Sequence, residues 1–333
     1  MHTVLEELVN QIEPLQTSVM AQCHKKLEAL PDKTDPALCF LAERIVGIQG
    51  TIHPKKLKKA VVVFAADHAV DGGENITKGK NSEAEARQVA KGTGAVNKIA
   101  HRIGAGVLLV DMGLQQDIPE TEGVQICKVR HGSRFFGIGA AMTKEEMTDA
   151  LLCGVALAQQ LADEGYTAIG LGNIGERGLL TALVITAAFF RDKMNELPET
   201  VDAQDKITQL GAMLDKHGLN RKNPIQLLRC AGSPDIAAMV GFILSAAQRR
   251  LIIVFDNAIT GTAVLLAHTL CSGVDAYVYP SARYAEPVHQ MQMKKLGLTP
   301  FLQYDVMGDQ GTGSALGLSV LDAVIEMMEE KIS

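Results

Sequence analysis

Tryptophan is absent, and aromatic residues make up only 4% of the 333-residue sequence. Stacking platforms for single-stranded nucleic acid are therefore not expected. Basic residues are in deficit too: 32 Lys and Arg against 38 Asp and Glu give a formal charge of −6, which leaves no footprint for a polyanion. No apolar run reaches the roughly 20 residues that a membrane span requires. The opening Met1-His-Thr-Val-Leu-Glu-Glu-Leu8 lacks the basic and apolar regions of a secretion signal. The expectation is a cytoplasmic protein with no membrane and no nucleic-acid partner. Six cysteines (Cys23, Cys39, Cys127, Cys153, Cys230, Cys271) contain no C-x-x-C pair, which argues against a zinc site and a disulfide framework. They read as buried thiols in a reducing compartment. No metal or cofactor is expected.

What is present is an ordinary globular composition, 47% hydrophobic. Continuous apolar runs of the kind buried on both faces of a parallel sheet occur at Ala60–Ala65, Gly106–Asp111, Tyr166–Leu171 and Leu251–Phe255, with a shorter one at Ala276–Tyr279 and an edge segment around Val124–Arg130. Between them lie helical patterns at about Glu83–Arg102, Lys144–Glu164, Leu179–Phe190, Asp235–Arg249 and Thr260–Leu270. Thr143 and Glu146 form a capping box for the second of these. This alternation predicts a doubly wound, mainly parallel, Rossmann-like α/β fold. Residues 1–50 and 314–333 carry helical patterns without strands and are expected to form a small helical domain beside the α/β domain of residues 51–313. Lys55-Lys-Leu-Lys-Lys59 reads as a solvated face rather than a polyanion site.

In such sheets ligands bind beyond the carboxyl ends of the strands. Asp67-His68, Asp256 and Glu286 all follow strands there. Asp67-His68 is the best polar pair, with catalysis, ligand contact or loop scaffolding as its possible roles. For Asp256 and Glu286, buttressing of a loop competes with contact to a ligand. Gly170-Leu-Gly-Asn173-Ile-Gly175 satisfies G-x-G-x-x-G between strand and helix. No strand with a terminal acidic residue follows at the required distance, so a tight turn or a phosphate role is favoured over a dinucleotide site. Near the end, Tyr304-Asp-Val-Met-Gly-Asp-Gln-Gly-Thr-Gly-Ser-Ala-Leu-Gly317 runs a glycine-punctuated loop into a last helix from about Ser314 to Lys331, and reads as the lip of a pocket.

That loop resembles the carboxy-terminal motif of the nicotinate-nucleotide:dimethylbenzimidazole phosphoribosyltransferases. The similarity continues through Lys59–Val70, Lys91–Asn97, Gly104–Gly113, Phe255–Ala258 and Pro280–Pro287, in the same order and spacing. The resemblance implies transfer of the phosphoribosyl group of nicotinate mononucleotide to an aromatic base, for the nucleotide loop of cobamides. It places Asp67, His68, Asn173, Gly175, Arg177, Asp256, Glu286, Gly311, Thr312 and Gly313 at the substrate. Several chemistry-bearing positions depart from the pattern. Gln310 stands at the catalytic glutamate, and an amide cannot serve as a general base. Asn173 replaces the glutamate, Gly178 the asparagine, and Leu179 and Leu180 the two hydroxyls of the phosphate loop, where Glu176 is expected to repel a phosphate and Arg177 to compensate. Ala282 replaces a histidine, Asp32–Ala37 replaces an early Pro-Pro-Gly loop, and Asn75–Lys80 also diverges. The resemblance therefore points to the non-catalytic partner of a homologous catalytic subunit, as in the two-subunit branch that activates phenols. The alternatives are a self-sufficient homodimer with Asp309 or Asp67 as base, and a non-enzymatic ligand-binding member.

Overall fold

The computed structural model describes residues 2–29, 35–69, 80–120, 123–190, 211–212, 214–305 and 310–332. Three helices open the chain: α1 (His2–Asn10), α2 (Thr17–Glu28) and α3 (Pro36–Gln49). Then β1 (Lys59–Ala66), α4 (Lys80–Ala90), α5 (Ala95–Arg102), β2 (Gly106–Gly113) and β3 (Val124–Ile126) follow. After α6 (Lys144–Asp163) come β4 (Ala168–Ile174), α7 (Gly178–Phe189), α8 (Pro224–Ala231), α9 (Pro234–Gln248), β5 (Ile252–Phe255) and α10 (Ala258–Leu270). The chain continues through β6 (Val278–Pro280), β7 (Ala282–Arg283), α11 (Pro287–Leu296), β8 (Leu302–Asp305) and α12 (Thr312–Ile332).

One six-stranded sheet has the order β3-β2-β1-β4-β5-β6, parallel throughout, and β7 pairs with β8 in a small second sheet. This is the doubly wound arrangement expected from the alternating pattern, with the direction of winding reversing between β1 and β4. Residues of β1 are buried along its whole length because helices cover both faces. Side chains alternate across a strand: Phe64 meets Phe242 of α9 edge-on at 5.7 Å, while Val61 faces Gly311 and α12. Helices α9 and α10 are apolar nearly all round and buried nearly throughout, the mark of a helix sandwiched in a large core. Helix α12 lies across β4 and β5 and also meets α3 and α2.

The closest helix crossing has a visible cause. A Cβ on Gly154 of α6 would stand 1.8 Å from the Ala238 carbonyl oxygen, and one on Gly241 of α9 would stand 2.0 Å from the Leu151 oxygen. The two glycines face each other's backbones, so α6 and α9 touch main chain to main chain.

Three local expectations need correction. The third strand extends to Ile174, so Gly170 and Gly172 lie inside β4 and the apparent G-x-G-x-x-G is strand rather than phosphate-binding turn; only Gly175 lies past the strand's end. The basic run is solvated only in part. Lys59 is buried in β1 and paired with Asp322 of α12, and Lys58 reaches the Glu164 carbonyl at 2.7 Å and covers the Tyr166 ring. Of the cysteines, Cys23 and Cys230 are buried while Cys39, Cys127, Cys153 and Cys271 are half-buried. The capping box on α6 is present as expected, with Thr143 accepting from Glu146 and Glu146 accepting in return. Among the described residues no helix is long and apolar enough to cross a membrane.

Candidate functional site

At the reversal point, the loops after β1 and β4 are tied together by Asp67. Its side chain is buried, and its two oxygens accept from the Gln115 amide at 2.7 Å and the Glu176 amide at 2.9 Å. A carboxylate held by two main-chain donors is a brace, with charge-assisted bonds on both oxygens. His68 lies beside it, 1% exposed. Its Nδ1 meets Thr181 Oγ1 of α7 at 3.0 Å and its Nε2 meets Asp235 Oδ2 at 3.2 Å, while Ser233 Oγ donates to Asp235 Oδ1 at 2.5 Å. This chain of four buried polar groups joins β1 to α7 and α9 beneath the cleft floor.

Above that floor lies a pocket of about 280 Å³ lined by Asn173, Gly175, Arg177, Gly178, Leu179, Asn257, Ala258, Ile259, Tyr284 and Glu286. Helices α7, α10 and α11 all begin at its wall. Asn257 caps α10, accepting from the Ile259 and Thr260 amides, and its Nδ2 donates to Asn173 Oδ1 at 2.6 Å. Glu286 caps α11 by accepting from the Val288 and His289 amides. Burial pushes its carboxyl above the usual range, opposed by those two amide bonds. The start of α7, where Gly178 and Leu179 line the pocket, has no side-chain cap. Arg177 sits at that start in the left-handed region, φ 63°, with its guanidinium donating to the Ala69 carbonyl at 2.8 Å.

Glu176 does not confront the pocket as expected. Its carboxylate accepts from the Asn81 amide of α4 at 3.2 Å, and its backbone serves Asp67 and His68. Of the two leucines at the start of α7, Leu179 is exposed at the pocket wall and Leu180 packs against the core. The nearest hydroxyl in α7, Thr181, is bonded to His68.

The glycine loop comes to the other side of Asn173. Gln310 adopts φ 67° and donates its amide to the Asn173 carbonyl at 3.1 Å. The close approach is possible because position 172 is glycine: a Cβ there would lie 2.5 Å from the Gln310 oxygen. Gly311 continues in the left-handed region. Asp256 Oδ2 then accepts from the Gly313 and Ser314 amides at 3.0 and 3.2 Å, which anchors the buried first turn of α12 next to Thr312. The Gln310 side chain turns toward the α4–α5 junction. Its Oε1 and Asn97 Oδ1 both approach Gly94, and both are buried without a hydrogen-bond partner among the described residues.

The structure thus gathers Asn173, Gly175, Arg177 and Glu286 on one pocket. Asp67, His68 and Asp256 lie under it as braces, and Gln310 to Gly313 form a separate wall beyond Asn173. Asp309, together with much of the divergent 32–37 and 75–80 stretches, lies outside the described residues. Sequence reasoning missed Asn257, Ile259, Tyr284 and Asp235. For Asn257 a signal existed, since Asp256-Asn257 after a strand and before an apolar helix is an N-cap pattern. For Asp235 there was none, because its partner His68 is 167 positions away.

A parallel sheet whose carboxyl ends gather three helix starts around a pocket has the ligand cleft of a doubly wound α/β protein. The particular family follows from comparison. A family profile described as "Phosphoribosyltransferase" matches residues 12–333, and the chain belongs to that family. It is 30% identical over 341 residues to a nicotinate-nucleotide–dimethylbenzimidazole phosphoribosyltransferase of Geobacter sp. (strain M21), covering 98% of this chain and 96% of that one. The protein of the same description from Geobacter metallireducens is also 30% identical, over 340 residues and with the same coverage. The crystal structure of the Thermus thermophilus enzyme of this kind superposes with a TM-score of 0.83 at 26% identity, covering 94% of this chain and 96% of that one.

Proposed function

We propose that this chain is a subunit of a nicotinate-mononucleotide:base phosphoribosyltransferase that activates the lower ligand of a cobamide. In this reading it completes the active site of a homologous catalytic chain and does not turn over substrate itself. The observation that carries the proposal is Gln310. The position that the family resemblance assigns to the catalytic glutamate holds an amide whose oxygen is buried toward Gly94 and has no partner among the described residues. An amide accepts a hydrogen bond there but takes no proton from an attacking base.

The start of α7 supports the same reading, since leucines stand where the resemblance expects phosphate-holding hydroxyls. Asp67 is no substitute base: it is 1% exposed, and both its oxygens are engaged by main-chain amides. The retained pocket, with its helix starts and Arg177, is compatible with holding a substrate that another chain transforms.

The test is calorimetry with nicotinate mononucleotide, then turnover assays with dimethylbenzimidazole and with phenol, on the chain alone and mixed with a relative that keeps the glutamate. The chain alone is expected to give no transfer, and the mixture to be active. In that mixture Gln310→Glu leaves the rate within about twofold, whereas removing the relative's glutamate lowers it about 100-fold or more. Transfer by the chain alone overturns the proposal.

A further inference from the structure

A second cavity, of about 580 Å³, lies between α1, the start of α8, the later part of α9 and the end of α10. It shares no lining residue with the cleft pocket. Helix α10 spans both, since Ala258 lines the cleft and Leu270 lines the second cavity, and a rise of about 1.5 Å per residue sets these two ends on the order of 18 Å apart. The second cavity is therefore not an annex of the cleft.

Its walls are aliphatic. Leu5 and Val9 lie one turn apart on α1 and so share a face, and Ile225, Leu244 and Leu270 stand around them. Leu244 is fully buried, and Leu5 is nearly so. The chain just past α1 is pinned, which fixes this wall in place: Gln248 donates to Gln11 Oε1 at 3.2 Å, Arg250 reaches the Glu13 carboxylate at 3.2 Å, and the Tyr277 hydroxyl donates to the Glu13 carbonyl at 2.7 Å. The mouth is polar instead. Glu6 and Asn10, again one turn apart and both exposed, stand there with Asn223. Asn223 is engaged as the cap of α8, accepting from the Gln226 amide at 3.1 Å and donating to Gln226 Oε1 at 3.0 Å. Among the described residues that line the cavity, Glu6 carries the one charge.

From this arrangement we infer that the cavity is a second small-molecule site, and that it takes a monoamine with a compact hydrocarbon body. Its volume falls within the roughly 300–1,000 Å³ of small-molecule sites. The five aliphatic side chains gain by covering a hydrocarbon body. The head is selected by charge: an ammonium at the mouth meets the Glu6 carboxylate and the Asn10 side chain, whereas a carboxylate or phosphate head meets like charge, with no Lys or Arg among the described lining residues to receive it. The site stands apart from the transferase reading, because it uses none of the cleft residues.

The test is calorimetry on the whole chain with cyclohexylmethylamine, cyclohexylmethanol and cyclohexanecarboxylate, which share one shape and differ in charge. The amine is expected to bind with a Kd on the order of 1 mM or below. The alcohol binds about threefold more weakly, the modest worth of an exposed charge pair, and the carboxylate more weakly still. Glu6→Gln brings the amine to the level of the alcohol. Val9→Trp, which fills the cavity from its half-buried wall, abolishes binding, whereas Leu179→Trp at the exposed wall of the cleft leaves it unchanged. Methyl spectra of the wild type locate the amine without any variant: signals of Leu5, Val9 and Leu244 shift on titration, and those of Leu179 and Ile259 stay. No binding of the amine up to about 10 mM, a carboxylate that binds as tightly as the amine, or methyl shifts at the cleft instead would each overturn the inference.

Discussion

At Asp67 both carboxylate oxygens accept amides from loops 48 and 109 positions away in the chain. Replacing it with Ala leaves two half-buried N–H groups without that acceptor and is expected to cost about 2 kcal/mol in urea unfolding, with Asp67→Asn intermediate. His289 gives a pH signature. It is buried against the rings of Phe255 and Tyr284, and burial lowers its pKa to about 4. The unfolded chain binds that proton near pH 6.5 and the folded chain only near 4, so stability present above pH 6.5 is lost as pH falls toward 4. The total loss is about 3 kcal/mol. His289→Gln should flatten this part of the profile, measured as urea midpoints at about pH 7 and pH 4.5. The sequence marked Asp67-His68 as the best polar pair because strand ends deliver side chains to a cleft. Its work was not legible, since the donors that saturate Asp67 and the Asp235 that meets His68 are brought together only by the closed sheet.

Among elements, the crossing of α6 and α9 depends on two residues without side chains. Gly154→Ala and Gly241→Ala each place a methyl far inside van der Waals contact with a carbonyl oxygen, and each is expected to destabilise by about 3 kcal/mol or more. Gly139→Ala, with nothing within 4 Å of its added carbon, should stay within about 0.5 kcal/mol. Denaturant unfolding of the three variants decides this. Elements that bury both faces were the readable ones: the continuous apolar runs of β1 and β5 and the Thr143 cap of α6 are where the pattern puts them. The far end of β4 was not, because Gly172 and Asn173 have turn chemistry when read locally. They become strand only because β1 supplies partners from Val61 to Ala65 and α12 covers the space left by the absent side chains. Helix α11 and the β7–β8 pair were also unread, being short and lacking a strong period.

For the whole molecule, the mainly parallel, doubly wound sheet followed from alternation, while the order of its strands and the division of labour at their carboxyl ends did not. Residues that line the pocket come from the ends of β4 and β5 and the start of α11, and the Gln310 wall is separated from them by Asn173. Helix α12 and the turn that leads into it cover one face of the sheet, held by Asp256 and the Asn173 carbonyl near the carboxyl ends of β5 and β4 and by Asp322, paired with Lys59, at the amino end of β1. Synthesis runs from the amino end at about 5–20 residues per second, so all six strands of the main sheet exist before their final cover is made. During that interval the α12-facing side of Val61, Gly170 and Val254 is bare apolar surface, and the nascent sheet is a binding site for whatever reaches it before its own last helix.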